Sequence, residues 1–153
     1  MVNVDSEYLS PIEHYRSSPH LSPGGCLQQK YFFMKVTLPP VLLRVEGAIL
    51  LILSVLLYGL NNGGGWPLFA LLFLVPDLSM LGYLVGRQMG AVSYNVFHTY
   101  ALPGLLASFG LVAGGPLVVS VALVWLAHIG FDRMVGYGLK YPTGFFDTHL
   151  HRL

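Results

Sequence analysis

A chain of 153 residues, 54% of them hydrophobic and 10% charged, with a mean hydropathy of +0.63, is far more apolar than a soluble domain of this length. Its net charge is +1 and its Lys and Arg are scattered, so it offers no electrostatic footprint for nucleic acid. The single cysteine, Cys26, excludes an internal disulfide and any paired-cysteine redox or zinc motif, which leaves His and carboxylates as the available metal ligands.

Residues 1–38 carry Asp5, Glu7, Glu13, Arg16 and Lys30 among several Ser and Pro, without the basic start, apolar run and cleavage site of a signal peptide. They read as a mobile cytoplasmic extension, with "YFFMK" (31–35) resting on the membrane interface. From there the chain offers apolar runs at 40–60, 66–85, 91–112 and 116–137, each near the length of about 20 residues that crosses a bilayer as a helix. "NNGGGWP" (61–67), "GRQMG" (86–90) and "GGP" (114–116) separate the runs with glycine stops, two of them followed by a proline start. Such short connections make sequential helices antiparallel neighbours. The expected fold is therefore all-α, a polytopic bundle of four antiparallel transmembrane helices over 39–139, followed by a cytoplasmic interfacial tail over 140–153.

Seven of the eight Lys and Arg fall in the N-terminal extension, the 86–90 hairpin or the C-terminal end, and the eighth, Arg44, lies near the extension. The loops at 61–66 and 113–115 hold none. The positive-inside rule then puts both termini in the cytoplasm, and a bacterial inner membrane is the expected location. Tyr58, Trp66, Tyr137 and Tyr141 fall near span ends, where aromatic belts form.

The second, third and fourth spans each admit ionisable residues. Counting about 1.5 Å of rise per residue from the hairpins brings Asp77, His98, His128 and Asp132 to one depth. Tyr94, Asn95 and His98 share one arc of the third helix, and His128 and Asp132 one arc of the fourth. In the first span Arg44 and Glu46 point in nearly opposite directions, with Glu46 expected to face the bundle. Pro76 is expected to free the carbonyl of Leu72, and Pro103 that of Thr99, which kinks both helices near the polar layer.

The segments "RVEG" (44–47), "PDLSMLGYLVG" (76–86), "YNVFHTY" (94–100) and "WLAHIGFDRMVGYGLKYPTGFFDTHL" (125–150) resemble, in order, the DUF4260 family of small integral membrane proteins. The resemblance covers residues 41–153 and implies a four-helix membrane protein of unassigned function. Residues 1–38 precede the family's usual start, and Phe146 stands where a charged residue is expected.

Three functions fit these residues. In the first, the polar layer is interhelical glue, with Arg133 pairing Asp132 and Asn95 bonding His98, and the protein is a structural or accessory subunit that packs with other membrane subunits or with itself. In the second, Asp77, His98, His128 and Asp132 bind Zn, Fe or Mn and the protein is a membrane enzyme of hydrolase type acting on a lipid-borne substrate, with Glu46 as candidate base. In the third, intramembrane ionisable groups mark a proton or small-solute pathway. A pigment or lipid in the bundle is a further open cofactor. The tail "DTHLH" sets Asp147, His149 and His151 at alternate positions, a weaker metal candidate, and "YPTG" (141–144) reads as a turn with Pro142 second. Gly82, Gly86 and Gly90, and Gly110 with Gly114, are spaced for close helix approach, within the bundle or between subunits.

Overall fold

The computed structural model describes the backbone of residues 25–61 and 63–151 and the side chains of 38–61 and 63–150. The chain divides into two compact units, Met1–Lys35 and Val36–Leu153, and the second holds the apolar helices and the polar cluster. The expectation of a mobile extension lies, for residues 1–24, outside the described residues. Helix α1 runs Gly25–Leu60, so the helix begins well before the apolar stretch, and Pro39 and Pro40 lie within it. After α1 come α2 (Trp66–Phe73), a 3-10 segment (Pro76–Leu84), α3 (Arg87–Phe97), α4 (Ala101–Val112) and α5 (Pro116–Val135). The described residues form no strand, only an isolated bridge between Lys140 and Thr148.

Three helices are long and apolar enough to cross a membrane: Leu38–Leu60, Trp66–Leu84 and Pro116–Val135. The third predicted span, 91–112, is not one helix. It breaks at His98–Tyr100 into α3 and α4, and neither half alone reaches spanning length. Pro103 accounts for the break, because its ring excludes the carbonyl four residues back, and it falls instead in the first turn of α4, where no amide is needed. The break leaves carbonyls at the end of α3 without helical partners. Side chains of α5 supply them: Trp125 Nε1 donates to Phe97 O at 2.7 Å, and Arg133 Nη2 to His98 O at 3.2 Å.

The second span is also irregular. Pro76 has no N–H to give, so the helix tightens: Val75 N–H bonds Leu72 O at 3.1 Å, and Asp77 N–H bonds Leu74 O at 3.2 Å. The Leu72 carbonyl is thus satisfied, contrary to expectation, and Phe73 becomes the carbonyl that the proline frees. Nine residues of 3-10 helix follow, well beyond the usual three or four.

Glycines let these elements approach. A Cβ on Gly47 would lie 2.6 Å from Arg133 Cβ and one on Gly130 would lie 2.8 Å from Leu51 N, so α1 and α5 cross backbone to backbone there. Gly82 packs on Ser93, Gly90 on the Tyr83 ring and Gly110 on Val118 and Val119, which places these spaced glycines in contacts within the chain. Tyr58, expected at the interface, is 2% exposed. Its hydroxyl donates to Gly65 O at 2.7 Å, and its ring packs on Trp66 and Phe69. Trp66, Tyr137 and Tyr141 are exposed.

Candidate metal centre

The 3-10 segment, the end of α3 and the second half of α5 converge on one point. Asp77, His98, His128 and Asp132 each place one ligand atom there, and all four atoms lie within 4.8 Å of one another. His98 Nε2 is 3.1 Å from His128 Nε2, 3.7 Å from Asp77 Oδ1 and 3.5 Å from Asp132 Oδ2. His128 Nε2 is 3.6 Å from Asp77 Oδ1 and 3.8 Å from Asp132 Oδ2. Ligands about 2.0–2.1 Å from a tetrahedral zinc ion stand about 3.3 Å apart, so the spacing suits a small divalent cation.

A backbone partner assigns the His98 tautomer. His98 Nδ1 faces Tyr94 O at 2.9 Å. A carbonyl only accepts, so Nδ1 carries the proton and Nε2 presents its lone pair to the centre. His128 Nδ1 is buried without a hydrogen-bond partner among the described residues. Its Nε2 stands within hydrogen-bond distance of His98 Nε2, at 3.1 Å, so either a proton shared between the two Nε2 atoms or a cation beside them satisfies both. Two imidazole nitrogens and two carboxylate oxygens meet at one point, which is the donor set of a His/carboxylate metal site.

Neighbouring groups fix these ligands. Tyr94 donates its hydroxyl to Asp132 Oδ2 at 3.0 Å and stacks its ring on His98, centroids 3.7 Å apart. The Phe73 ring meets His128 edge-on. Histidine orientation by a backbone carbonyl and carboxylate orientation by a hydroxyl are typical outer-shell devices of metal sites. Burial is uneven: the His98 and His128 side chains are 1% and 2% exposed, Asp132 13% and Asp77 33%. Asp77 is the most exposed of the four.

Several expected contacts take other partners. Asn95 does not bond His98. It holds the backbone of Lys140, accepting from Lys140 N at 2.7 Å and donating to Lys140 O at 2.9 Å. Arg133 donates to Tyr137 O and His98 O, so its recorded bonds go to backbone carbonyls of the broken third span and the α5 cap. Glu46, expected to face the bundle, is exposed, as is Arg44. The residue of that stretch turned toward α5 is Gly47, because only a residue without a side chain fits at the crossing.

The C-terminal segment folds back beside the centre. Pro142 and Thr143 lie in a turn, Tyr141 N–H bonds Asp147 O at 2.8 Å, and Thr143 donates its hydroxyl to the Asp147 carboxylate. His149 Nδ1 accepts from Leu139 N at 2.8 Å. Asp147 and His149 are therefore engaged in folding the tail, and the side chain of His151 lies outside the described residues. Burial pushes the His149 imidazole below its usual range, and the nearby Arg133 charge adds to this. Lys140, which sequence reasoning passed over, is 6% exposed. Its ammonium sits 3.6 Å from the Phe145 ring centroid and 4.3 Å from that of Tyr94. Burial lowers its proton affinity, while the charges of Asp132 and Asp77 act to raise it. The signal that marks it is its place as a lone cation among Tyr137, Tyr141, Phe145 and Phe146.

Apolar helices of spanning length around an Asp/His cluster define a small helical membrane protein with a buried polar centre. The chain belongs to the DUF4260 family, a domain of unknown function, whose family model matches residues 40–153. Comparison with curated proteins and with solved structures gave no match.

Proposed function

We propose that this protein is a membrane metalloenzyme, in which Asp77, His98, His128 and Asp132 bind one divalent ion of the Zn, Fe or Mn type and activate water against a lipid-borne ester or amide. The observation that carries this reading is the convergence of two imidazole nitrogens and two carboxylate oxygens within 4.8 Å of one another. Left without a cation or a shared proton, the two imidazole nitrogens 3.1 Å apart and the two carboxylates beside them repel, at a depth where uncompensated charge costs several kcal/mol. In hydrolysis, water oxygen adds to the acyl carbon, the bond from that carbon to the leaving oxygen or nitrogen breaks, and the leaving group takes a proton. With the four protein ligands in place, a bound ion would have to take water at a fifth position, and there it would supply the acidified water. Asp77, the most exposed ligand, is the carboxylate best placed to take up the proton. The protein lies in a bacterial inner membrane with both termini in the cytoplasm, in keeping with its charge distribution.

The reading as a structural or accessory subunit draws support from interhelical bonds such as Asn61 to Ser120 and Tyr94 to Asp132, which hold a bundle together whether or not a metal binds. Metal content by plasma mass spectrometry, on protein purified in mild detergent, tests the metal on which the enzyme reading depends. The enzyme reading expects close to one ion per chain, falling to background in His98→Ala and His128→Ala. Folded wild type without metal removes it, and crosslinking in native membranes then becomes the route to a partner.

A further inference from the structure

Beside the centre lies a cavity of about 140 Å³ lined by Leu72, Val75 and Pro76 of the second span, Phe97 of α3, and Val121 and Trp125 of α5. No polar surface lines it. The indole N–H of Trp125, which would otherwise be a polar spot on its wall, is spent on Phe97 O at 2.7 Å.

The cavity and the Asp/His centre share three pieces of backbone. Pro76 precedes Asp77, Phe97 precedes His98, and Trp125 lies three residues before His128, where side chains on a helix are neighbours. The apolar hollow and the cluster of four metal-ligand types are thus built on the same three backbone segments, although none of the four side chains lines the hollow. The cavity opens outward past Val75 and Phe97, which are 44% and 42% exposed. Five of its six lining residues belong to the candidate spans Trp66–Leu84 and Pro116–Val135, so the medium at its mouth is hydrocarbon. Water has no polar partner inside, and a dry apolar cavity of this size takes a benzene-sized hydrocarbon group.

We propose that this cavity is an acyl-chain site, and that it holds the methylenes nearest the carbonyl of a membrane lipid's acyl chain while that carbonyl faces the Asp/His centre. The inference deepens the metalloenzyme reading and rests on it for the role of the centre. It names the substrate class as a straight-chain acyl ester or amide drawn from the bilayer. Only the proximal part of the chain fits, so the site reads branching and unsaturation near the carbonyl and leaves the rest of the chain in the membrane.

Trp125 is a built-in reporter. In a Trp66→Phe background it is the one remaining tryptophan, and a fatty acid brominated in the proximal half of its chain quenches it on contact. The full chain in detergent micelles is titrated with this probe. The expected result is saturable quenching at one site, weakened about tenfold or more, the equivalent of about 1.4 kcal/mol, by Val121→Phe and by Leu72→Phe, which fill the cavity from opposite walls. Val92→Phe, on an exposed position outside it, leaves the titration unchanged. Quenching that rises without saturation, identically in all variants, overturns the acyl site. Metal content measured on the same samples keeps the two readings apart. Metal without saturable quenching removes the acyl site alone, and saturable quenching without metal removes the metal centre alone. Retained metal in the filled variants also shows that they fold.

Discussion

Tyr94 and His98 stand one helical turn apart at the end of α3, and Tyr94 positions two members of the candidate centre, His98 and Asp132. The Tyr94 carbonyl holds His98 Nδ1 at 2.9 Å, its ring stacks on the imidazole at 3.7 Å, and its hydroxyl reaches across to Asp132 at 3.0 Å. Tyr94→Phe keeps the ring and the carbonyl and removes only the hydroxyl. It is expected to weaken metal binding about 10–100-fold, as loss of an outer-shell partner does, with normal folded yield. Competition with a chromogenic chelator measures this, and unchanged affinity would show that Asp132 is held in place without the tyrosine.

Pro76 determines where Asp77 lies and leaves the Phe73 carbonyl without the amide it would otherwise meet. Pro76→Ala restores an amide, lets α2 continue as α-helix and returns the Phe73 carbonyl to the helix. A proline within a helix costs about 3 kcal/mol relative to alanine, so thermal stability in detergent is expected to hold or rise while metal content falls. Opposite movement of the two readouts is the signature. A parallel fall would instead show that the variant simply misfolds.

Gly47 and Gly130 set the separation of α1 and α5. Gly47→Ala places a methyl group 2.6 Å from Arg133 Cβ, and overpacking of this kind costs about 1–3 kcal/mol. Reversible unfolding in mixed micelles should register that loss, and because Arg133 follows Asp132 the variant should also bind metal less well. No change in either would mean that the two helices part freely.

The folded-back tail should respond to acid through His149. Its folded-state proton affinity is depressed, chiefly by burial, so the unfolded segment binds a proton more readily than the folded one. The neutral ring's contribution is complete above the ordinary pKa of 6.5 and is lost as pH falls through the lower folded value. Limited proteolysis of residues 138–150 should therefore accelerate below about pH 6.5 and slow again on return to neutral pH. In His149→Gln that dependence should flatten, and a profile identical to wild type would assign the acid response to another group.

Much of this architecture can be read from residue types. Glycine and proline at 61–67 and 114–116 mark helix ends because one residue terminates helices and the other starts them. A helix's fixed rise leads from the hairpins to one common level for Asp77, His98, His128 and Asp132, whose ligand atoms meet within 4.8 Å. What spacing does not reveal is which backbone groups a proline disturbs and who then satisfies them. The break at His98–Tyr100 is hidden inside an apolar run, since hydropathy records side chains and not hydrogen bonds. Asn95 and Arg133 read as partners of their neighbouring ionisable residues, yet Asn95 serves the backbone of Lys140 and Arg133 that of His98, both long-range contacts, and Arg133 also bonds Tyr137 O one turn on. The exposure of Glu46 follows from Gly47, whose importance appears only once α5 lies against it.

The interrupted third span bears on how the protein is made. Its loose carbonyls at Phe97 and His98 are answered by Trp125 and Arg133, residues synthesised roughly 30 positions later by simple count along the chain. Unanswered carbonyls are costly in hydrocarbon, so residues 87–112 are not a stable membrane helix when they leave the ribosome. We expect a chain truncated after Gly115 to leave this segment outside the bilayer and a chain extended through Val135 to draw it in, so that the last helix completes the insertion of the one before it. Glycosylation mapping of the 113–115 loop in the two lengths of nascent chain would reveal the order, and equal insertion of both would show that the third span enters unaided.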